Sequence, residues 1–190
     1  MNKKEKMIYA VLILNIILLS FILIYKNKVY EGEVVTKEIV YKEPDIKEVN
    51  NRIVWDNLTR EELIAKLNKN LYHELSGTGS YFADYTIKTG LDPYLAVSIV
   101  NLETGCKWGC SYLARTCYNI GGLKGSPSCN GGAYARFNSL EDGINSYLDI
   151  LYNGYWSKGL TNADLMNPKY AESTTWAEKV NAYYQTIKAS

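Results

Sequence analysis

The rhythm of apolar and polar positions changes several times along this 190-residue chain. Residues 7–25, MIYAVLILNIILLSFILIY, carry no charge. As a helix they would extend roughly 28 Å, close to the hydrocarbon thickness of a bilayer. Residues 26–57 then mix alternating charges with scattered Val and Ile and are interrupted at Pro44, a pattern that reads as a stalk or linker. Periodicity returns at Leu58. Thr59-Arg60-Glu61-Glu62 has the form of a capping box, and Leu58 stands where a hydrophobic staple onto Leu63 would begin. Leu63, Leu67, Leu71 and Leu75 recur every four residues, which predicts one apolar helix face ending near Ser76-Gly77.

A second helix is expected over about residues 78–89, stopped by Gly90, and Asp92-Pro93 opens a third with Asp as N-cap and Pro at the first helical position. Residues 94–102, YLAVSIVNL, are apolar on nearly every side, so this helix is expected at the centre of the fold. A short helix is expected at 111–117. The texture then changes to Gly121, Gly122, Gly125, Gly131 and Gly132 with Pro127, which predicts a small hairpin or ordered loops. Ser139 starts another helix with Ile144, Leu148, Ile150 and Leu151 facing inward, and a last helix covers 174–188. The expected fold is mainly α: a helical domain over 58–190 with a small Gly-rich lobe, preceded by one N-terminal transmembrane helix.

The flanks of the apolar run bear on topology. It is longer than a signal-peptide core, no small-residue cleavage pattern follows, and Lys26 and Lys28 end it abruptly. This favours an uncleaved anchor at 7–25. Lys3, Lys4 and Lys6 keep residues 1–6 cytoplasmic, which puts the remainder outside the cell membrane as a single-pass protein. The four cysteines, Cys106, Cys110, Cys117 and Cys129, all lie downstream. An even number in an exported domain reads as two disulfides, with three pairings open. No C-x-x-C pair is present and the one histidine, His73, is distant, which argues against zinc.

Charge removes one class of partner. The whole chain carries a formal +1 and residues 59–190 hold twelve Lys/Arg against twelve Asp/Glu, so no basic footprint for nucleic acid is present. Seventeen tyrosines stand against three phenylalanines. Tyrosine suits wet aromatic clefts such as sugar sites, although compositional bias toward Lys, Asn, Ile and Tyr gives the same count.

One acid is conspicuous. Glu103 ends the most apolar helix, where the helix dipole is negative and an anion is poorly placed. Burial there would disfavour ionisation and suit a carboxylic acid that donates its proton. The competing roles are a cap or an ion pair with Lys107 or Arg115, and local physics does not separate them.

Four stretches together resemble the glucosaminidase branch of the lysozyme-like peptidoglycan hydrolases. TGLDPYLAVSIVNLETG is similar to the family's helix ending in the catalytic Glu. YNIGGLKG is similar to its Asn-(Phe/Ile/Pro)-Gly signature. YARFNSLEDGINSYLDIL and NPKYAESTTWAEKVNAYY are similar to its two closing helices. The resemblance covers residues 78–188. It implies that Glu103 is the general acid that protonates the glycosidic oxygen, that Tyr118, Asn119, Gly121 and Gly122 line the cleft, with Asn119 orienting the loop or the Glu, and that the Tyr170 hydroxyl positions a sugar. Tyr134 could stack on a sugar. Trp176 is assigned to the core. For the glycines and tyrosines the plainer roles are turn geometry and packing.

The implied substrate is the β-1,4 glycan strand of peptidoglycan, with the membrane and a cell-envelope machine as further partners and no metal or organic cofactor. One feature departs from the family pattern. Glycosidases generally pair two carboxylates, and many members place the second in the lobe after the Gly-rich signature, yet residues 104–140 contain no Asp or Glu. Glu141 and Asp142 come next, in a first helical turn where they complement the dipole. A substrate-assisted hydrolase, a lytic transglycosylase with one Glu, or a site completed by an acid such as Asp142 all remain open. So do a muramidase and a non-catalytic glycan-binding protein on the same fold.

Overall fold

The computed structural model describes residues 52–190, together with Ile17, Leu19 and Ser20, which are helical. The expected anchor at 7–25 otherwise lies outside the described residues, as do 1–6 and 26–51. Among the described residues no helix is long and apolar enough to cross a membrane. Two short strands, β1 (Ile53–Trp55) and β2 (Leu58–Thr59), pair antiparallel. Seven helices follow: α1 (Arg60–Asn68), α2 (Gly79–Thr89), α3 (Pro93–Thr104), α4 (Tyr112–Cys117), α5 (Leu140–Gly154), α6 (Ala163–Tyr170) and α7 (Trp176–Ala189). The mainly helical expectation holds.

α3 is the axis. Ten of its twelve residues are buried, all except Leu102 and Glu103. Asp92 caps it as expected, with Oδ1 accepting from the Tyr94 and Leu95 amides at 2.8 and 3.2 Å. Gly105 stops it in the left-handed region (φ 62°), which glycine enters without steric cost. Its buried hydroxyls turn back onto its own carbonyls, Ser98 onto Tyr94 and Thr104 onto Val100, so they cost little inside an apolar core. α7 lies along α3 as its principal neighbour, while α1 packs on α2 and α6 on α7.

Folded structure begins before Leu58. Asp56 and Asn57 adopt φ of 46° and 60°, the left-handed pair of a two-residue hairpin turn, and short polar side chains tolerate it. Trp55 meets Tyr94 edge-on at 6.5 Å. Tyr94 donates to Asp56 Oδ2 at 3.2 Å, and Tyr184 near the end of α7 donates to Asp92 Oδ2 at 2.9 Å. The hairpin, the start of α3 and the end of α7 therefore share one pole. Lys66 Nζ also holds the Lys188 and Ser190 carbonyls there, at 2.8 and 3.0 Å.

The Leu63–Leu75 periodicity does not produce one helix. The capping box at Thr59 and Glu62 is present, but α1 ends at Asn68 and a 3₁₀ turn covers His73–Leu75. Asn68 Oδ1 is used by the Gly79 amide at 2.8 Å, and the Asn70 carbonyl by Asn101 Nδ2 at 2.8 Å. These bonds draw the polar Asn-Lys-Asn run out of helical pairing. Leu71 and Leu75 are buried nonetheless. In α5 the inward stripe is Ile144, Tyr147, Leu148 and Leu151, and Ile150 is 48% exposed, because position 150 falls off the i, i+3, i+4, i+7 face. α6 was not expected. Asn162 caps it by accepting from the Leu165 amide at 2.9 Å, and Pro168 sits within its last turn.

Between α3 and α5 lies the cysteine-bearing lobe. It contains α4 and two isolated antiparallel bridges, Lys124 with Tyr134 and Ser128 with Ala135, rather than a full hairpin. Disulfides join Cys106 to Cys110 and Cys117 to Cys129, which selects one of the three pairings.

Candidate active site

The last turn of α3 leaves the core, and Glu103 points into solvent. The expected burial of this carboxylate is not met: in the last turn Leu102 and Glu103 face outward while Thr104 stays buried, so one side of the helix end opens onto the surface. Among the described residues Glu103 makes neither a capping bond nor an ion pair. Among the described residues the salt bridges are those of Arg60 with Glu61 and Asp84, and the bond made by Glu103 comes from Trp176, whose indole Nε1–H donates to Oε1 at 3.1 Å. Trp176 opens α7 and is 5% exposed. Its assignment to the core is half of its role. A contact across 73 residues has no local sequence signal.

An aromatic series supports this pair. Trp176 stacks on Tyr170 at 4.4 Å and 23°, and Tyr170 meets Tyr155 at 5.2 Å. Lys169 closes the series, with Nζ 4.8 Å from the Tyr155 ring and bonded to the Gly154 carbonyl at 2.8 Å. Burial, reinforced by the nearby Glu103 charge, pushes the Tyr170 phenol well above its ordinary range. Tyr170 thus stays a protonated donor. Tyr147 is raised for the same first reason, then by Tyr170 and Glu103, and donates to the Ala96 carbonyl at 2.8 Å.

The predicted loop residues divide. Asn119 is 2% exposed and orients the loop, not the Glu. Its Nδ2 donates to the Leu123 and Ala135 carbonyls, both at 2.8 Å, and its Oδ1 accepts from the Leu123 amide at 2.9 Å. Gly121 serves packing: a Cβ there would stand 2.8 Å from Tyr147 Cδ2. Gly122 is in the left-handed region (φ 61°) with open space around it. Tyr118 and Tyr134 are exposed, at 39% and 40%. The structure directly joins Glu103, Trp176 and Tyr170. The 118–122 loop approaches them through Gly121 against Tyr147, and no contact places Tyr134 beside Glu103. Gly143, within the stretch YARFNSLEDGINSYLDIL, is needed because a Cβ on α5 would overlap the Tyr118 carbonyl oxygen.

Glu141 and Asp142 occupy the first turn of α5 as expected, both exposed, with Ser139 Oγ capping the Asp142 amide at 3.0 Å. Glu141 accepts a long bond from Tyr81 at 3.4 Å. Among the described residues the one group of metal-type ligands is Glu74 with Cys106 and Cys110, and the two sulfurs are bonded to each other. An open groove of about 790 Å3 between α6 and α7, bordered by Asp164, Glu172 and Glu178, does not include Glu103.

This arrangement presents one solvent-facing carboxyl, one oxygen of which is held by a buried donor, beside a protonated phenol. It suits proton transfer to a large ligand at the surface. A family model described as mannosyl-glycoprotein endo-beta-N-acetylglucosaminidase matches residues 79–189, from the first residue of α2 to the last of α7. Among solved structures, the catalytic domain of the autolysin Auto from Listeria monocytogenes is similar at 18% identity and a TM-score of 0.46, covering 68% of this chain and 84% of that chain. No curated protein matches the chain.

Proposed function

The chain belongs to the mannosyl-glycoprotein endo-beta-N-acetylglucosaminidase family, and from that premise we propose that it cleaves the β-1,4 glycan strand of peptidoglycan with Glu103 as general acid. The observation that carries this reading is the position of Glu103: at the exposed end of the central helix, held by Trp176 Nε1 at 3.1 Å and free of any ion pair among the described residues. Glu103 gives its proton to the glycosidic oxygen as the C1–O bond breaks, and the chain on the far side leaves as an alcohol.

No acid follows in residues 104–140, so the positive charge growing at C1 is met by the substrate. In the glucosaminidase route the 2-acetamido oxygen bonds to C1. Glu103, now a carboxylate, takes a proton from water as that water opens the ring so formed. In the transglycosylase route the 6-hydroxyl of the muramyl sugar attacks instead and gives its proton to Glu103. The first route is preferred on the family match. The Tyr170 phenol, held protonated beside Glu103, donates a hydrogen bond to the sugar.

The proposal extends to placement. Residues 7–25 anchor the protein in the cell membrane, 1–6 stay inside and the stretch from 26 to the start of the hairpin tethers the domain outside, where cleavage is confined to nearby wall and serves an envelope machine that must pass through it. Its support is the uncharged apolar run and its lysine-bearing flank.

The test is mass spectrometry of purified peptidoglycan after digestion with the purified chain. A new reducing N-acetylglucosamine end is expected. A reducing muramic end or a 1,6-anhydro end would replace the proposed route by a muramidase or a transglycosylase. Glu103→Gln is expected to lower the cleavage rate by about 100-fold or more. Binding of glycan without any product from the wild-type chain would make it a binding protein instead.

A further inference from the structure

The Trp176–Glu103 contact does more than close the core, and its consequence rests on the glycosidase reading above. An indole N–H is a donor only. A neutral carboxyl accepts it through the oxygen that carries no hydrogen, so with Trp176 on Oε1 the acid proton resides on Oε2. The direction of that N–H is fixed from several sides. The indole is stacked on Tyr170, which is backed by Tyr155. The turn before α7 is pinned by Asn167, whose Nδ2 donates to the Ala171 and Ser173 carbonyls at 3.3 and 2.8 Å and whose Oδ1 accepts from the Ala177 amide at 3.1 Å. Trp176 is buried whereas the carboxyl it serves is exposed, so the donor is the preorganised member of the pair.

We propose that Trp176 is a positioning residue for the acid: it selects Oε2 as the oxygen that delivers the proton, and its N–H stabilises the carboxylate left on Oε1 after transfer. The second action strengthens as the transition state forms, because a hydrogen bond to an ionised oxygen is stronger than one to a neutral carboxyl. A purely structural tryptophan would do neither.

Two variants of the full chain separate these roles. Trp176→Phe keeps a ring on Tyr170 and removes the N–H. Replacement of Trp176 by β-(3-benzothienyl)alanine keeps the bicyclic shape and also removes the N–H, and it covers the case in which the phenylalanine variant folds poorly. Steady-state cleavage of soluble glycan strands and the thermal midpoint are measured for each. The expected result for the isostere is a fall in kcat of about tenfold with KM within about twofold and an unchanged thermal midpoint. An isostere with the wild-type kcat, or one whose KM rises in step with a lowered kcat, overturns the proposal and leaves Trp176 a packing residue. Full activity in Glu103→Gln would instead overturn the glycosidase reading. An inactive Glu103→Gln beside an unaffected isostere removes this inference alone.

Discussion

The helical body and the cysteine lobe meet at the Glu103 end of α3, and they are held together by different physics. The body is stabilised by burial. α3 is enclosed by α1, α2 and α7, and its polar side chains mostly bond back to the chain's own carbonyls. The lobe has little regular structure, and Ile120 is its one large fully buried apolar side chain. Its shape comes from the Asn119 amide, from Cys117–Cys129, and from backbone bonds such as Phe137 N to the Cys117 carbonyl at 2.9 Å. The acid is carried by the region held together by buried apolar contacts. The proposed sugar-facing loop belongs to the region in which each polar contact is needed, because a broken one leaves a buried group unpaired.

That contrast can be broken first at the seam. Gly143→Val places a side chain on α5 against the Tyr118 carbonyl oxygen, and backbone cannot yield as a side chain would. A loss of about 3–4 kcal/mol in chemical denaturation is expected, with the lobe displaced from the body. Replacing Cys117 and Cys129 together by serine opens a loop with a sequence separation of 12 and should cost about 3 kcal/mol. Removing Cys106–Cys110, with a separation of 4, should cost about 2 kcal/mol on the same chain-entropy argument. Equal losses would show that loop closure is not what the lobe gains from its disulfides.

Asn119→Ala is expected to cost about 2 kcal/mol by stranding the Leu123 and Ala135 carbonyls. Hydrogen exchange should rise across 118–136 while the amides of α3 keep their protection. Faster exchange in α3 as well would mean that the two regions unfold as one unit. The smallest effect belongs to the body. Burial, opposed by the Tyr184 hydrogen bond, raises the Asp92 carboxyl above its ordinary value. The folded state then binds its proton more tightly than the unfolded chain. Stability associated with Asp92 is present below the unfolded value and is lost as pH rises through the folded one. Asp92→Asn keeps an N-cap and should flatten that fall in a thermal-midpoint profile above about pH 4. A profile unchanged by Asp92→Asn would place the pH dependence elsewhere.

What the sequence made legible follows the same division. Asp92-Pro93, the apolar run and Gly105 define α3 and the place of Glu103, because caps and periodicity are local signals. Thr59 and Glu62 likewise mark the start of α1. The break after Asn68 was hidden because its cause lies in tertiary bonds from Gly79 and Asn101. The exposure of Glu103 was hidden because an apolar helix is no guide to where its neighbours end. Asn119 could be placed in an ordering role from the Gly-rich signature, but Gly121 could not be assigned to Tyr147 without the fold. Trp176 reads as core because it resembles a packing residue of the family, and its N–H acts at a residue 73 positions away.

The shared pole of the hairpin, the start of α3 and the end of α7 sets a working distance. The hairpin meets α3 through Trp55 on Tyr94, and the nine residues from Tyr94 to Glu103 amount to roughly 14 Å of helix rise. The chain is thus gripped at one end of a rigid strut and carries its reagent at the other. A cargo fused after Ser190 would emerge at the gripped end, next to α1, and leave the far end clear.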